Sequence, residues 1–112
     1  MSMEINLNIC PIDLETLQNL LKQYLPGITV WAFGSRVKLT NTVSSDLDLV
    51  AFITKEESLN LLFLADAIEE AYFPFRIDLL SWSEIPDNFK KNIQSNFVVI
   101  QSEEEQELPM DI

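Results

Sequence analysis

The chain has 112 residues, 47% of them hydrophobic, which suits one small globular domain and excludes global disorder. Seven Lys and Arg against eighteen Asp and Glu leave a net charge of −11, so direct nucleic-acid binding through phosphate contacts is not expected. There is no histidine and one cysteine, Cys10, which excludes Ser-His-Asp and Cys-His catalysis and Cys/His zinc sites.

The remaining chemistry falls to carboxylates, hydroxyls, Lys/Arg and hard metals. No apolar run approaches the roughly 20 residues of a membrane span, so no membrane association is expected. Met1–Pro11 lacks the charged start of a secretory signal, and a lone cysteine forms no internal disulfide, which points to the cytoplasm.

In chain order, Leu14, Leu17, Leu21 and Tyr24 recur at helical spacing and predict a helix over Ile12–Leu25, stopped by Pro26-Gly27. Ile28–Phe33 is β-branched and aromatic and predicts a covered strand that ends at Gly34. Arg36–Ser45 reads as a short helical turn followed by a polar loop. Asp46–Ile53 is a second buried strand, and Glu56–Phe73 a long helix with Leu59, Leu62, Phe63, Ile68 and Tyr72 facing inward, ended by Pro74. Phe75–Leu80 is a third strand, Pro86–Phe97 a short helix, and Val98–Ile100 a further strand. The order predicts an α/β (α+β) fold: a mixed sheet of three to four strands flanked by helices. Residues 1–100 form the domain; residues 101–112 hold five acids and no base and read as an acidic, solvated tail.

Three carboxylates interrupt otherwise apolar strands. Asp46 and Asp48 are two apart, so both side chains leave one face of the strand, with Cα atoms about 6.6–7 Å apart. Asp78 sits between Ile77 and Leu79, with Arg76 on its side of the strand. If the second and third strands are neighbours, the three acids meet on one patch of sheet. Clustered carboxylates repel and favour a divalent cation, and an all-oxygen ligand set selects Mg²⁺, with Mn²⁺ as the alternative. Two such ions about 3.5–4 Å apart clamp the attacking and leaving oxygens of a phosphoryl displacement. Asp48 would bridge both, with Asp46 beside it, and Asp78 would hold the ion nearest the nucleophile. Gly34-Ser35, after a strand and before a helical turn, offers backbone and hydroxyl donors to phosphates, and Arg36 and Lys38 add positive charge.

Trp31-Ala32-Phe33-Gly34-Ser35-Arg36, Ser45-Asp46-Leu47-Asp48-Leu49 and Arg76-Ile77-Asp78-Leu79-Leu80 together resemble the signature of polymerase-beta-type nucleotidyltransferases. More closely, they resemble the minimal nucleotidyltransferase (MNT) proteins encoded beside HEPN-domain toxins, over nearly all of Leu14–Ile100. The resemblance implies transfer of a nucleoside monophosphate from a triphosphate, with Mg²⁺, to a hydroxyl. It implies an antitoxin that uses ATP to adenylylate a tyrosine of its HEPN toxin. By position, Gly34, Ser35 and Arg36 would bind the nucleotide, and Asp46, Asp48 and Asp78 would be catalytic and hold the metals. Family members often carry a small residue such as Gly shortly after the Gly-Ser-Arg stretch, where this chain has Val37-Lys38-Leu39. At this length the acceptor surface must come from another chain, with Trp82, Phe89 and Phe97 either as contacts or as core. Two other readings stay open: a binding module that silences a toxin by occlusion, and a small-molecule nucleotidyltransferase.

Overall fold

A computed structural model describes residues 7–42 and 45–102. Helix α1 (Pro11–Tyr24) starts with proline in its first turn, where the missing N–H has no helical partner to lose. Its inner stripe is Leu17 and Leu21, with Leu14 and Tyr24 half-buried beside them. Strand β1 (Val30–Phe33) leads through Gly34 into the four-residue helix α2 (Ser35–Lys38). Strand β2 (Leu47–Ala51) follows, then a 3₁₀ turn at Lys55–Glu57 and helix α3 (Ser58–Glu70). Strand β3 (Ile77–Ser81), a second 3₁₀ turn at Trp82–Glu84, helix α4 (Asp87–Ser95) and strand β4 (Phe97–Gln101) complete the described chain.

The four strands form one mixed sheet in the order β3-β2-β1-β4. β1 runs antiparallel to both β2 and β4, while β2 and β3 are parallel and joined across α3. Period-two alternation sorts the side chains between two layers. Val30, Ala32, Leu47, Leu49 and Ile100 face α1 and α3, where they pack with Leu17, Leu21, Leu64 and Ile68. Phe33 and Val50 face the opposite side and pack with Ile85 and with Ile93 of α4, alongside Trp31, Phe52, Trp82 and Phe97. Trp31 and Phe97 stack with ring centroids 3.8 Å apart, so Trp82 and Phe97 belong to this second core; Phe89 keeps 39% of its surface exposed.

The long helix departs from expectation. It begins as a 3₁₀ turn, in which the Glu57 carboxylate accepts from the Thr54 N–H at 2.8 Å, and it ends at Glu70 rather than Phe73. Leu59, Leu62, Phe63 and Tyr72 do not face inward: Leu62 is 62% and Tyr72 88% exposed. Every residue from Leu61 to Ala65 is apolar, so the sequence offers more than one candidate stripe. Packing against α1 and the sheet selects Leu64 and Ile68, with Leu61 partly buried beside them. Tyr72, with φ 58°, turns the chain toward β3.

Strand β4 continues through Gln101, one residue into the segment assigned to the acidic tail. The Gln101 amide is buried and donates to the carbonyls of Leu25 and Ile28 at 2.8 and 2.7 Å. The five acids of that tail lie outside the described residues. Among the described residues no helix is long and apolar enough to cross a membrane.

Candidate active site

Strand register places the acids. β2 and β3 are parallel neighbours, and Asp48 pairs directly with Asp78. Side chains in register on adjacent parallel strands project from the same face of the sheet. That face is the one covered farther along by α4. Asp46 precedes β2 by one residue and is exposed, while Asp48 and Asp78 are half-buried. The two strands are tied at this end by the Leu47 N–H, which donates to the Arg76 carbonyl at 2.8 Å.

The Asp48 carboxyl is pushed up from its ordinary pKa, first by burial and then by the charges of Asp78 and Asp46. The three acids thus form one electrostatic unit with an excess of negative charge. Asp78 already has a partner: Arg76 Nε donates to its Oδ1 at 3.0 Å. Among the described residues no three acidic side chains are gathered closely enough to ligate one ion. The donor set still fits a hard divalent cation, since it consists of carboxylate oxygens, one of them poorly hydrated and repelled by the others.

Gly34 lies against this unit. Its φ of 88° and ψ of −157° belong to a region open essentially to glycine alone. A Cβ built there would collide with the Asp48 carboxylate and lie 3.4 Å from Asp48 Cγ. Glycine therefore serves two ends, a sharp bend from β1 into α2 and close approach of backbone to Asp48. The Gly34 carbonyl accepts from the N–H groups of Val37 and Lys38 at 3.1 and 3.0 Å, which closes the turn that starts at Ser35. The turn ends on Leu39, with φ 62° and ψ 31°, a left-handed cap that a branched side chain adopts at a cost. Glycine would take this conformation without that cost. Lys38 is exposed and shares a recess with Gly34 and Asp48.

Arg36 is not brought to the same place. It is 5% exposed, and its guanidinium donates to the Ser45 carbonyl through Nε at 3.1 Å and Nη2 at 2.9 Å, and to the Asn8 carbonyl at 2.9 Å. It also lies 4.2 Å over the Phe75 ring. Arg36 thereby joins the residue preceding Asp46 to the segment that leads into β3. The expectation of a phosphate-binding arginine gives way to one that positions the acid-bearing strands. Sequence reasoning also passed over Asn92 of α4 and Asn96, the extended residue that ends that helix, which line the recess beside Gly34. Their i, i+4 spacing was visible, but nothing in the sequence tied α4 to the Gly34 bend.

Residues 15–106 match the family described as "Polymerase beta, Nucleotidyltransferase". The chain belongs to that nucleotidyltransferase family. It is 42% identical over 101 residues to a probable protein adenylyltransferase MntA of Haemophilus influenzae, an alignment covering 88% of this chain and 87% of that protein. In fold, the nucleotidyltransferase is similar to a crystal structure of a toxin–antitoxin with AMP-PNP, with TM-score 0.63 and 16% identity. It is also similar to a crystal structure of the toxin–antitoxin MntA-HpeT carrying two Asp-to-Glu changes two residues apart, with TM-score 0.62 and 14% identity. Each superposition covers 80% of this chain and 73% of the other. The family implies a nucleotide substrate and a divalent metal, and the carboxylates described above have the chemistry to hold one.

Proposed function

We propose that this nucleotidyltransferase transfers AMP from ATP, with Mg²⁺, to a tyrosine hydroxyl of a HEPN-domain toxin in the cytoplasm and acts as the antitoxin of that pair. One observation carries the reading: Asp48 and Asp78 stand in register beside a glycine-only bend, in a chain 42% identical to a probable protein adenylyltransferase. The MntA-HpeT and AMP-PNP-containing toxin–antitoxin structures of like fold support the choice of partner and of nucleotide.

Ser35 and the backbone after Gly34 bind the triphosphate, with Lys38 supplying positive charge from the adjoining recess. Divalent cations held by Asp46, Asp48 and Asp78 would neutralise the phosphate oxygens and favour the ionised acceptor hydroxyl. The acceptor oxygen forms a bond to the α-phosphorus while the bond to the bridging oxygen breaks. Pyrophosphate leaves, and the hydroxyl proton passes toward Asp78.

The test combines the purified chain with labelled ATP, Mg²⁺ and the protein encoded beside it. Label moves to a tyrosine of that protein, and the double variant Asp46→Asn/Asp48→Asn transfers none and no longer protects cells. Protection by the double variant would replace the reading with silencing by occlusion, and label on a drug-like small molecule alone would replace the protein acceptor.

A further inference from the structure

A recess of about 300 Å³ lies on the Gly34 side of the aspartate pair, with Lys38, Asp48, Phe89, Asn92 and Asn96 in its walls. A groove of about 640 Å³ lies on the Asp78 side, between the last turns of α3 and the start of β3. Its walls carry Asp66 and Glu69, three residues apart on one side of α3, and its floor carries Phe73 and Ile77. Among the described residues β3 is an edge strand of the sheet.

In-line displacement places nucleophile and leaving group on opposite sides of the phosphorus. With the polyphosphate on the Gly34 side, the acceptor must arrive from the Asp78 side. The charges agree with this division. Asp66 and Glu69 repel a triphosphate and attract cations, and Arg76, the base that also lines this groove, is paired with Asp78, whereas Lys38 stands on the other side.

We propose that the α3–β3 groove docks the acceptor segment of the partner protein, a cationic stretch that carries the acceptor tyrosine. Lysine or arginine beside that tyrosine pairs with Asp66 and Glu69, and the aromatic ring lies over Phe73 with its hydroxyl toward Asp78. The inference rests on the nucleotidyl-transfer reading, but binding tests it independently of transfer.

The experiment measures, by fluorescence anisotropy, a labelled dodecapeptide with one tyrosine among lysines and arginines, against a counterpart with glutamates in their place. The protein is the full chain with Mg²⁺ and a non-hydrolysable ATP analogue. The cationic peptide binds more tightly, and Asp66→Lys/Glu69→Lys weakens it about tenfold, the order expected of two partly exposed ion pairs. The same charge change at Glu15 and Glu84, neither of which lines the groove, weakens it far less, and affinity for the ATP analogue is unchanged in both variants. Equal weakening by the two double variants would overturn the inference, as would loss of nucleotide affinity on changing Asp66 and Glu69. Groove-dependent binding without any transfer of label would instead refute the catalytic reading alone.

Discussion

Replacing Asp48 with asparagine should make the protein more stable while abolishing transfer. Asp48 and Asp78 are paired on neighbouring strands, and such strands lie about 4.8 Å apart. Two charges about 5 Å apart at an effective dielectric near 20 repel by about 3 kcal/mol. The Asp78 side chain is 35% exposed and paired with Arg76, so solvent and that guanidinium reduce the net gain to about 1 kcal/mol. For a domain of this size that is a rise in Tm of about 4–8 °C at neutral pH. The pH dependence has a definite sign. A carboxyl whose pKa is raised by folding binds its proton more tightly in the folded state, so its penalty is present above the folded pKa and vanishes below the unfolded value, about 3.9. The stability gap between Asp48→Asn and the parent should therefore be full at pH 7 and close to nothing at pH 3.5. Mg²⁺ should raise the Tm of the parent and leave that of the variant unmoved. Thermal unfolding followed by circular dichroism over this pH range, with and without Mg²⁺, measures all three quantities. A variant less stable than its parent at pH 7 would refute the claim that the acids are held together against their own repulsion.

Other substitutions probe the supports of the site. Gly34→Ala should cost about 1–3 kcal/mol from its backbone conformation and displace Asp48, so nucleotidyl transfer falls by far more than the loss of folded protein explains. Arg36→Met leaves the Ser45 and Asn8 carbonyls without their donor, a loss of about 2 kcal/mol or more in urea titration, and Arg36→Lys recovers only part of it. Leu39→Gly relieves an exposed left-handed residue and should stabilise the fold by about 0.5–1 kcal/mol. Phe63→Glu should change stability by less than about 0.5 kcal/mol, whereas Leu64→Ala on the buried side of α3 costs about 2–5 kcal/mol, both read from urea midpoints.

Local rules within the chain determined much of this protein. The apolar, β-branched and aromatic run ending at Phe33, the mostly apolar run Leu47–Ala51, the stop at Pro26-Gly27 and the spacing of Leu17 and Leu21 are short-range patterns, and each became the expected element. Asp46 and Asp48 share a face because strand periodicity is two, and Gly34 is legible because only glycine makes that bend beside a strand. What depends on partners distant in sequence was legible only in part, as a condition on which strands are neighbours or through the resemblance. Asp78 comes beside Asp48 only through the parallel pairing of β2 and β3. The buried side of α3 is chosen by α1 and the sheet, since the apolar run Leu61–Ala65 offers several stripes of nearly equal hydrophobicity. Arg36 looked like a surface charge beside a phosphate loop. Only the tertiary structure sets the Asn8 and Ser45 carbonyls and the Phe75 ring around it, where a planar guanidinium satisfies three segments at once.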